Sequence, residues 1–184
     1  LEVKPTLYFN VPRGFDMLLP FLEQDEALAR EFFARLRLVF YAGAALAQSS
    51  WERLEAVARK ARDEPVWFTT SWGSTETSPA ITSAHWKLER AGCIGLPLPG
   101  MELKFIPNGA KLELRVRGVS VFPGYRNAPA LTTQAFDEEG YYRTGDLCRW
   151  VDYDYLVISG RAKEIIIRNG ENISPREIED LLSG

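Results

Sequence analysis

An α/β region followed by an antiparallel β region is the fold class this sequence predicts, and three observations predict it. Before residue 92, helical stretches with one apolar face alternate with short apolar runs. After residue 92 the apolar and charged side chains alternate with a period of two. Between two of those alternating runs stands Asn108-Gly109, a pair that favours a hairpin turn. The segment around Arg161 to Glu164, past the β-rich part, is the expected domain boundary.

Taken in chain order, the first element is "DEALAREFFARL" (25–36), in which Leu28, Phe32, Phe33 and Leu36 recur at helical spacing, so one face can be buried. "RLVFYAG" (37–43) reads as a short buried strand ending at a glycine. "SWERLEAVARKA" (50–61) sets Trp51, Leu54, Val57, Ala58 and Ala61 on one stripe, a helix starting near Ser50. "PVWFTT" (65–70) is the next apolar run, and strand, helix, strand with short links predicts a right-handed crossover between parallel strands. "MELKFIP" and "KLELRVRG" then alternate around Asn108-Gly109, a hairpin signal. "PGYRNAPALTTQAF" reads as a turn and a short helix, "YYRTGDL" as an ordered loop, and "YLVISG" and "EIIIRNG" as two more strands. In "SPRE", Ser174 can cap a last helix, Pro175 suits its first turn and Glu177 can close the capping box.

Composition excludes several classes of function. With 22 basic and 25 acidic residues the net charge is −3, and no Lys/Arg block offers a footprint for nucleic acid. No apolar run approaches the roughly 20 residues of a membrane-spanning helix, and no leader pattern is visible, so a cytoplasmic protein is expected. Cys93 and Cys148 make no CxxC pair and no metal-ligand spacing with the lone His85, and both read as free packing thiols. The chain begins at Leu1 and stops at Gly184 where a helix has hardly started, which suggests a piece of something larger.

Function is concentrated in loops. In open α/β sheets a ligand binds beyond the carboxyl ends of the strands, and two loops leave those ends: "YAGAAL" (41–46) and "SWGSTE" (71–76). Ser74, Thr75 and Glu76 supply hard oxygen ligands of the kind Mg²⁺ takes together with phosphates. Gly73 lets backbone approach a ligand, and Trp72 offers a flat face for a base. Taken alone, the stretch fits a structural Ser/Thr-rich turn as well as a phosphate or metal site. Asp146, after a glycine in "YYRTGDL", can accept hydrogen bonds from a ribose diol or simply cap a turn. Arg161 and Lys163 can meet phosphate or carboxylate, or be ordinary surface cations.

In series, "SWGSTETSP", "YYRTGDL" and "GRAKEIIIRNGENISPREIE" closely resemble the adenylate-forming (AMP-binding) enzyme superfamily, which includes acyl-CoA synthetases, peptide synthetase adenylation domains and beetle luciferases. The first part, from "NVPRGFD" to "YAGAAL", resembles feruloyl-CoA synthetase and related aryl-acid ligases. The resemblance implies that residues 1–160 are the C-terminal part of a large AMP-binding domain and 161–184 a hinge and the start of a small α+β domain.

It further implies an enzyme that activates a carboxylic acid, aryl acids such as hydroxycinnamates included, with ATP to an acyl adenylate and passes the acyl group to coenzyme A. On matching positions Trp72, Gly73 and Ser74 would flank the nucleotide, Thr75 would bond the α-phosphate and Glu76 would hold Mg²⁺. Gly43, Ala44 and Ala45 would line the pocket for adenine and acyl group, and Asp146 and Arg161 would hold the ribose and phosphate side. Lys163 falls at the hinge and Gly170 at the coenzyme A tunnel. The family's glycine-rich phosphate loop would precede Leu1 and its catalytic lysine would follow Gly184, so residues 1–184 alone are expected to be inactive. Two alternatives stand beside this: an adenylation domain that loads a carrier protein, and a non-catalytic AMP-binding module. The sequence leaves the acid and the oligomeric state open.

Overall fold

The computed structural model describes residues 3–151, 155–162, 166–168 and 171–173, with 175, 178 and 182 singly. They form two compact units, one holding the chain up to Ser71 with Ala84–Cys93, the other Trp72–Ser83 with Ile94–Leu182.

The first unit is α/β. Strands β1 (Leu7–Asn10), β2 (Leu38–Tyr41) and the start of β3 (Trp67–Gly73) are parallel neighbours, with Leu7 opposite Leu38 and Leu38 opposite Trp67. Helices α1 (Pro12–Gln24) and α2 (Glu26–Phe33) connect β1 to β2, and α3 (Gln48–Ala61) connects β2 to β3. Asp25 ends α1 and caps α2, its carboxylate accepting the N–H groups of Ala27 and Leu28 at 2.9 and 3.0 Å. The core forms where the helices' apolar stripes meet the sheet: Phe15, Leu19, Phe33, Trp51 and Leu54 are all buried, as is Leu36 just beyond α2. Trp51 packs at 6.0 Å from Tyr41 and 5.1 Å from Phe68 between centroids, joining α3 to two strands.

Three features depart from the sequence expectation here. Strand β1 and helix α1 lack a clear sequence signal, because Gly14 and Pro20 interrupt what would otherwise read as a helical stretch. Pro20 is exposed, while Phe15, Leu19 and Leu22 keep a buried stripe. Helix α3 begins at Gln48, two residues before Ser50, whose hydroxyl donates to Asp16 at 2.6 Å and so does not cap the helix. Strand β3 runs on through Gly73, so "SWG" belongs to the strand and the turn begins only at Ser74.

The second unit is antiparallel. Strands β4 (Ala80–Ser83) and β5 (Leu96–Pro97) pair with each other. Strands β6 (Met101–Asn108), β7 (Lys111–Gly118), β8 (Tyr142–Val151) and β9 (Tyr155–Arg161) form a meander in that order, and α4 (Pro129–Ala135) lies in the connection between β7 and β8. Strands β10 (Ile166–Arg168) and β11 (Glu171–Ile173) pair as a further ladder. The β6–β7 turn is Gly109-Ala110, one residue beyond the expected pair, with Gly109 at φ +60°. Leu114, Val116, Tyr142, Cys148 and Leu156 are buried in its core.

"YYRTGDL" is a correction: it is not a loop but the first half of β8. Tyr142 lies opposite Val116 and Leu147 opposite Glu113, and the residues between them bulge. The Thr144 hydroxyl donates to the Leu114 carbonyl at 2.5 Å and Gly145 takes φ +74°, so the bulge is held within the ladder. The glycine that reads as a turn in isolation thus serves the bulge, because β7 and β9 flank it on either side. Ser174, Glu177, Lys163 and Gly170 lie outside the described residues. No helix among the described residues is long and apolar enough to cross a membrane.

Candidate functional site

The candidate site is a polar cleft in the second unit. It starts where β3 ends, at Trp72 and Gly73. A Cβ on Gly73 would stand 1.8 Å from the Pro79 carbonyl oxygen, so the chain can double back only over a glycine. The reversal is a 3₁₀ turn, Thr75–Thr77. The Ser74 N–H donates to the Thr77 hydroxyl at 2.8 Å, and that hydroxyl reaches the Pro79 carbonyl at 2.7 Å. Thr77 is 1% exposed, so its hydroxyl is spent on building the turn. Within this polar stretch Ser74 and Thr77 shape the loop, while Thr75 is exposed and Glu76 half-buried in the cleft wall.

Glu76 is held by two connections to a segment about fifty residues away. Its carbonyl accepts the Phe122 N–H at 2.8 Å, and its Oε1 accepts the Tyr125 hydroxyl at 3.1 Å. Its own N–H, the Ser74 and Tyr125 hydroxyls and the Arg161 charge keep its carboxyl below the ordinary range against the opposing cost of burial.

The opposite wall comes from β8 and β9. Asp146, 9% exposed, accepts the Trp72 indole N–H on Oδ2 at 3.0 Å. Arg161, paired across the ladder with Asp146, places Nε 3.1 Å from Oδ1. Both carboxylate oxygens are thus oriented by donors on different elements. Burial, with the Tyr125 hydroxyl and the Glu76 charge, pushes the Tyr142 hydroxyl up, which keeps it neutral and able to donate.

Of the residues singled out by sequence, the cleft brings together Trp72, Gly73, Ser74, Glu76, Asp146 and Arg161. Thr75 adjoins it on the same turn but does not line it. Gly43, Ala44 and Ala45 form the loop after β2 in the first unit, with Gly43 at φ +85°. Lys163 and Gly170 are not among the described residues. Sequence reasoning missed Tyr142 and Thr144, which line the same cleft, and Tyr125, which reaches its edge through Glu76. Tyr142, Thr144 and Asp146 recur at every second position, a signal that reading the stretch as a loop concealed. Tyr125 carries no local signal; its partner is 49 positions away.

Two carboxylates, a guanidinium and several hydroxyls around an aromatic ring suit a ligand rich in hydroxyl and phosphate groups. Among the described residues no three His, Cys, Asp or Glu side chains cluster to enclose a metal. An ionised Glu76 fits instead the mode in which Mg²⁺ takes one or two carboxylates and completes its shell with phosphate oxygens and water. The thiols stand apart from this chemistry: both are buried and neither is in a disulfide, and burial pushes Cys148 up to about 12.

Comparison with known proteins supplies independent information. Residues 1–126 match the AMP-binding enzyme family. A medium-chain fatty-acid–CoA ligase of Escherichia coli is 42% identical over 135 residues, covering 68% of this chain and 24% of the ligase. A malonyl-CoA ligase solved as a ternary product complex with methylmalonyl-CoA and AMP superposes with a TM-score of 0.73 at 35% identity, over 97% of this chain and 39% of that one. ATP-bound MatB from Rhodopseudomonas palustris superposes with a TM-score of 0.76 at 30% identity, over 95% of this chain and 34% of that one. The chain spans about a quarter of the length of that fatty-acid ligase. The family match runs from the α/β unit through the Glu76 turn to Arg126, across the residues that build one wall of the cleft, and by it the chain belongs to the AMP-binding enzyme family.

Proposed function

We propose that this chain is part of a carboxylic acid:CoA ligase, which activates an acid with ATP to an acyl adenylate, releases pyrophosphate, and transfers the acyl group to the thiol of coenzyme A. The observation that carries the reading is the cleft in which Trp72, Glu76, Asp146 and Arg161 converge from three segments distant in sequence. The fatty-acid ligase and the malonyl-CoA ligase are named for coenzyme A esters of aliphatic acids, which favours coenzyme A over a carrier-protein thiol as acceptor.

In this reading Asp146, fixed by the Trp72 indole and Arg161, accepts hydrogen bonds from the ribose hydroxyls. Trp72 and Gly73 flank the base, and Gly43, Ala44 and Ala45 leave room for adenine and the acyl group. Arg161 offsets negative charge on the phosphate side, and Thr75 donates to the α-phosphate. Glu76 holds Mg²⁺, which when bound polarises the phosphoryl oxygens toward attack. Lys163 is the hinge about which the part from residue 161 onward turns, and Gly170 lines the route for pantetheine. A hydroxycinnamate or other aryl acid is the finer form of the proposal, drawn from the resemblance over residues 10–46; cytoplasmic placement and the division at 160/161 belong with it.

The test is acid-dependent exchange of pyrophosphate into ATP by the full-length protein, with an acid panel that spans aliphatic and aryl carboxylates. Exchange with at least one acid, lost in Glu76→Gln, is expected. Absence of exchange across the panel would refute the ligase reading, and AMP binding without exchange would favour a non-catalytic module. Acyl transfer to a carrier protein but not to coenzyme A would replace the acceptor.

A further inference from the structure

Tyr125 stands outside the stretches from which the site was read, yet its hydroxyl lies 3.1 Å from Glu76 Oε1. The segment that carries it is rigidly built. The Tyr125 N–H donates to the Thr132 hydroxyl at 2.9 Å, which in turn donates to the Ala128 carbonyl at 3.1 Å. Gly124 sits at φ +146°, and a Cβ there would come within 2.5 Å of Thr132. The Tyr125 ring meets Phe122 edge-on at 4.8 Å, and Phe122 stacks on Phe136 at 5.6 Å and meets Tyr142 at 5.4 Å. The position of the Tyr125 hydroxyl is therefore set by an aromatic cluster, although the residue is 38% exposed.

The same segment also holds the Glu76 backbone, through the Phe122 N–H. One anchor fixes where the main chain lies; the other fixes how the carboxylate is turned. A hydroxyl donating to an ionised carboxylate oxygen both restricts its rotation and stabilises its charge. Loss of such an outer hydrogen bond to a metal-ligating carboxylate costs about 10–100-fold in metal affinity or activity in known sites.

We propose that Tyr125 is a positioning residue for Glu76, setting the affinity of the nucleotide site for its divalent cation. This rests on the ligand role given to Glu76 above, but it concerns a residue that neither the motifs nor the cleft lining identify. Tyr125 need not touch nucleotide or acid; it acts through the orientation of one carboxylate.

The experiment compares full-length wild type with Tyr125→Phe, which keeps the ring on Phe122 and removes only the hydroxyl. Mn²⁺ is titrated in the presence of ATP and read by the electron paramagnetic resonance of the free ion, and the Mg²⁺ dependence of acid-dependent pyrophosphate exchange is measured alongside. The expected result is Mn²⁺ binding weakened about tenfold, the low end of the range because the contact is partly exposed. The half-saturating Mg²⁺ should rise to match, while the exchange rate at saturating Mg²⁺ stays within twofold and metal-free AMP binding is unchanged. In a Glu76→Gln background, Tyr125→Phe should add less than twofold.

Unchanged Mn²⁺ affinity in Tyr125→Phe, with normal exchange by wild type, overturns the proposal and leaves the ligase reading standing. A rate lowered equally at every Mg²⁺ concentration also overturns it, since that is the mark of a damaged loop. Weakened Mn²⁺ binding in the variant, with no exchange by wild type on any acid, supports the positioning role and sinks the ligase reading. No ATP-dependent Mn²⁺ binding by wild type overturns both.

Discussion

Asp137 precedes β8 and holds the start of the strand that carries Tyr142 and Asp146. Its Oδ1 accepts the N–H groups of Glu139 and Tyr141 at 3.0 and 2.9 Å, and its Oδ2 lies 3.0 Å from Lys104 Nζ and 3.1 Å from Arg115 Nη1. Asp137→Asn keeps an oxygen for the two backbone donors and turns an amide NH₂ toward two cations. Breaking a buried ion pair costs about 3–5 kcal/mol, but here the cations retain other partners: Arg115 keeps Glu113 at 2.8 Å and Lys104 keeps Glu139. Screening by water at the sheet surface lowers the cost further, and we expect about 2 kcal/mol. Urea denaturation of the full-length protein, followed through the transition that includes this unit, measures it.

The pH dependence gives the same experiment a second arm. The donors hold the Asp137 carboxyl far below its ordinary range despite burial. A depressed folded value means that the stabilisation is fully present above the unfolded value, near about 4, and is lost progressively as pH falls below it. The gap between wild type and Asp137→Asn should therefore be constant from pH 7 to about 5 and shrink toward pH 3. A variant within about 0.5 kcal/mol of wild type at pH 7, the range of ordinary surface substitutions, would refute the reasoning, as would a gap indifferent to pH.

Two further substitutions probe the cleft. Gly73→Ala forces a methyl against the Pro79 carbonyl and should destabilise the protein by about 1–3 kcal/mol in urea; wild-type stability would show that the turn has room after all. Trp72→Phe keeps a ring beside the site but removes the N–H bonded to Asp146, and AMP affinity measured by calorimetry should fall about tenfold, the lower end of the cost of a bond to a charged group. An unchanged affinity would show that the indole does not orient Asp146 for the nucleotide.

How much of the fold is legible in the sequence depends on how local each signal is. Helices α2 and α3 and the β6–β7 hairpin carry their period within a dozen residues, so Phe32, Trp51 and the alternation around Gly109 suffice to find them. The "YYRTGDL" strand does not show itself because its pairing partners, β7 and β9, supply the evidence for it, while Gly145 locally argues for a turn. Helix α1 hides behind Pro20, whose cost is offset by the burial of Phe15 and Leu19. Within the site, Trp72, Glu76, Asp146 and Arg161 stand out by chemistry and motif, and they line one cleft. Tyr125 does not, because a contact across 49 positions leaves no trace in either neighbourhood.

The bulge in β8 bears on which sequence changes this strand can absorb. From Tyr142 to Cys148 the chain takes six steps, while its partner takes four, from Val116 to Leu112. The surplus is even, so the inward and outward faces keep the same phase on both sides of it. A one-residue deletion between Arg143 and Leu147 would reverse that phase and drive Cys148 and its inward neighbours toward solvent. A two-residue deletion would preserve the ladder yet flatten the arch that turns Asp146 toward Trp72. Length variation in homologous chains should accordingly collect in the connections between strands and skip this arch, and a relative that has lost two residues here should keep its fold and lose the hydrogen bond between its counterparts of Trp72 and Asp146.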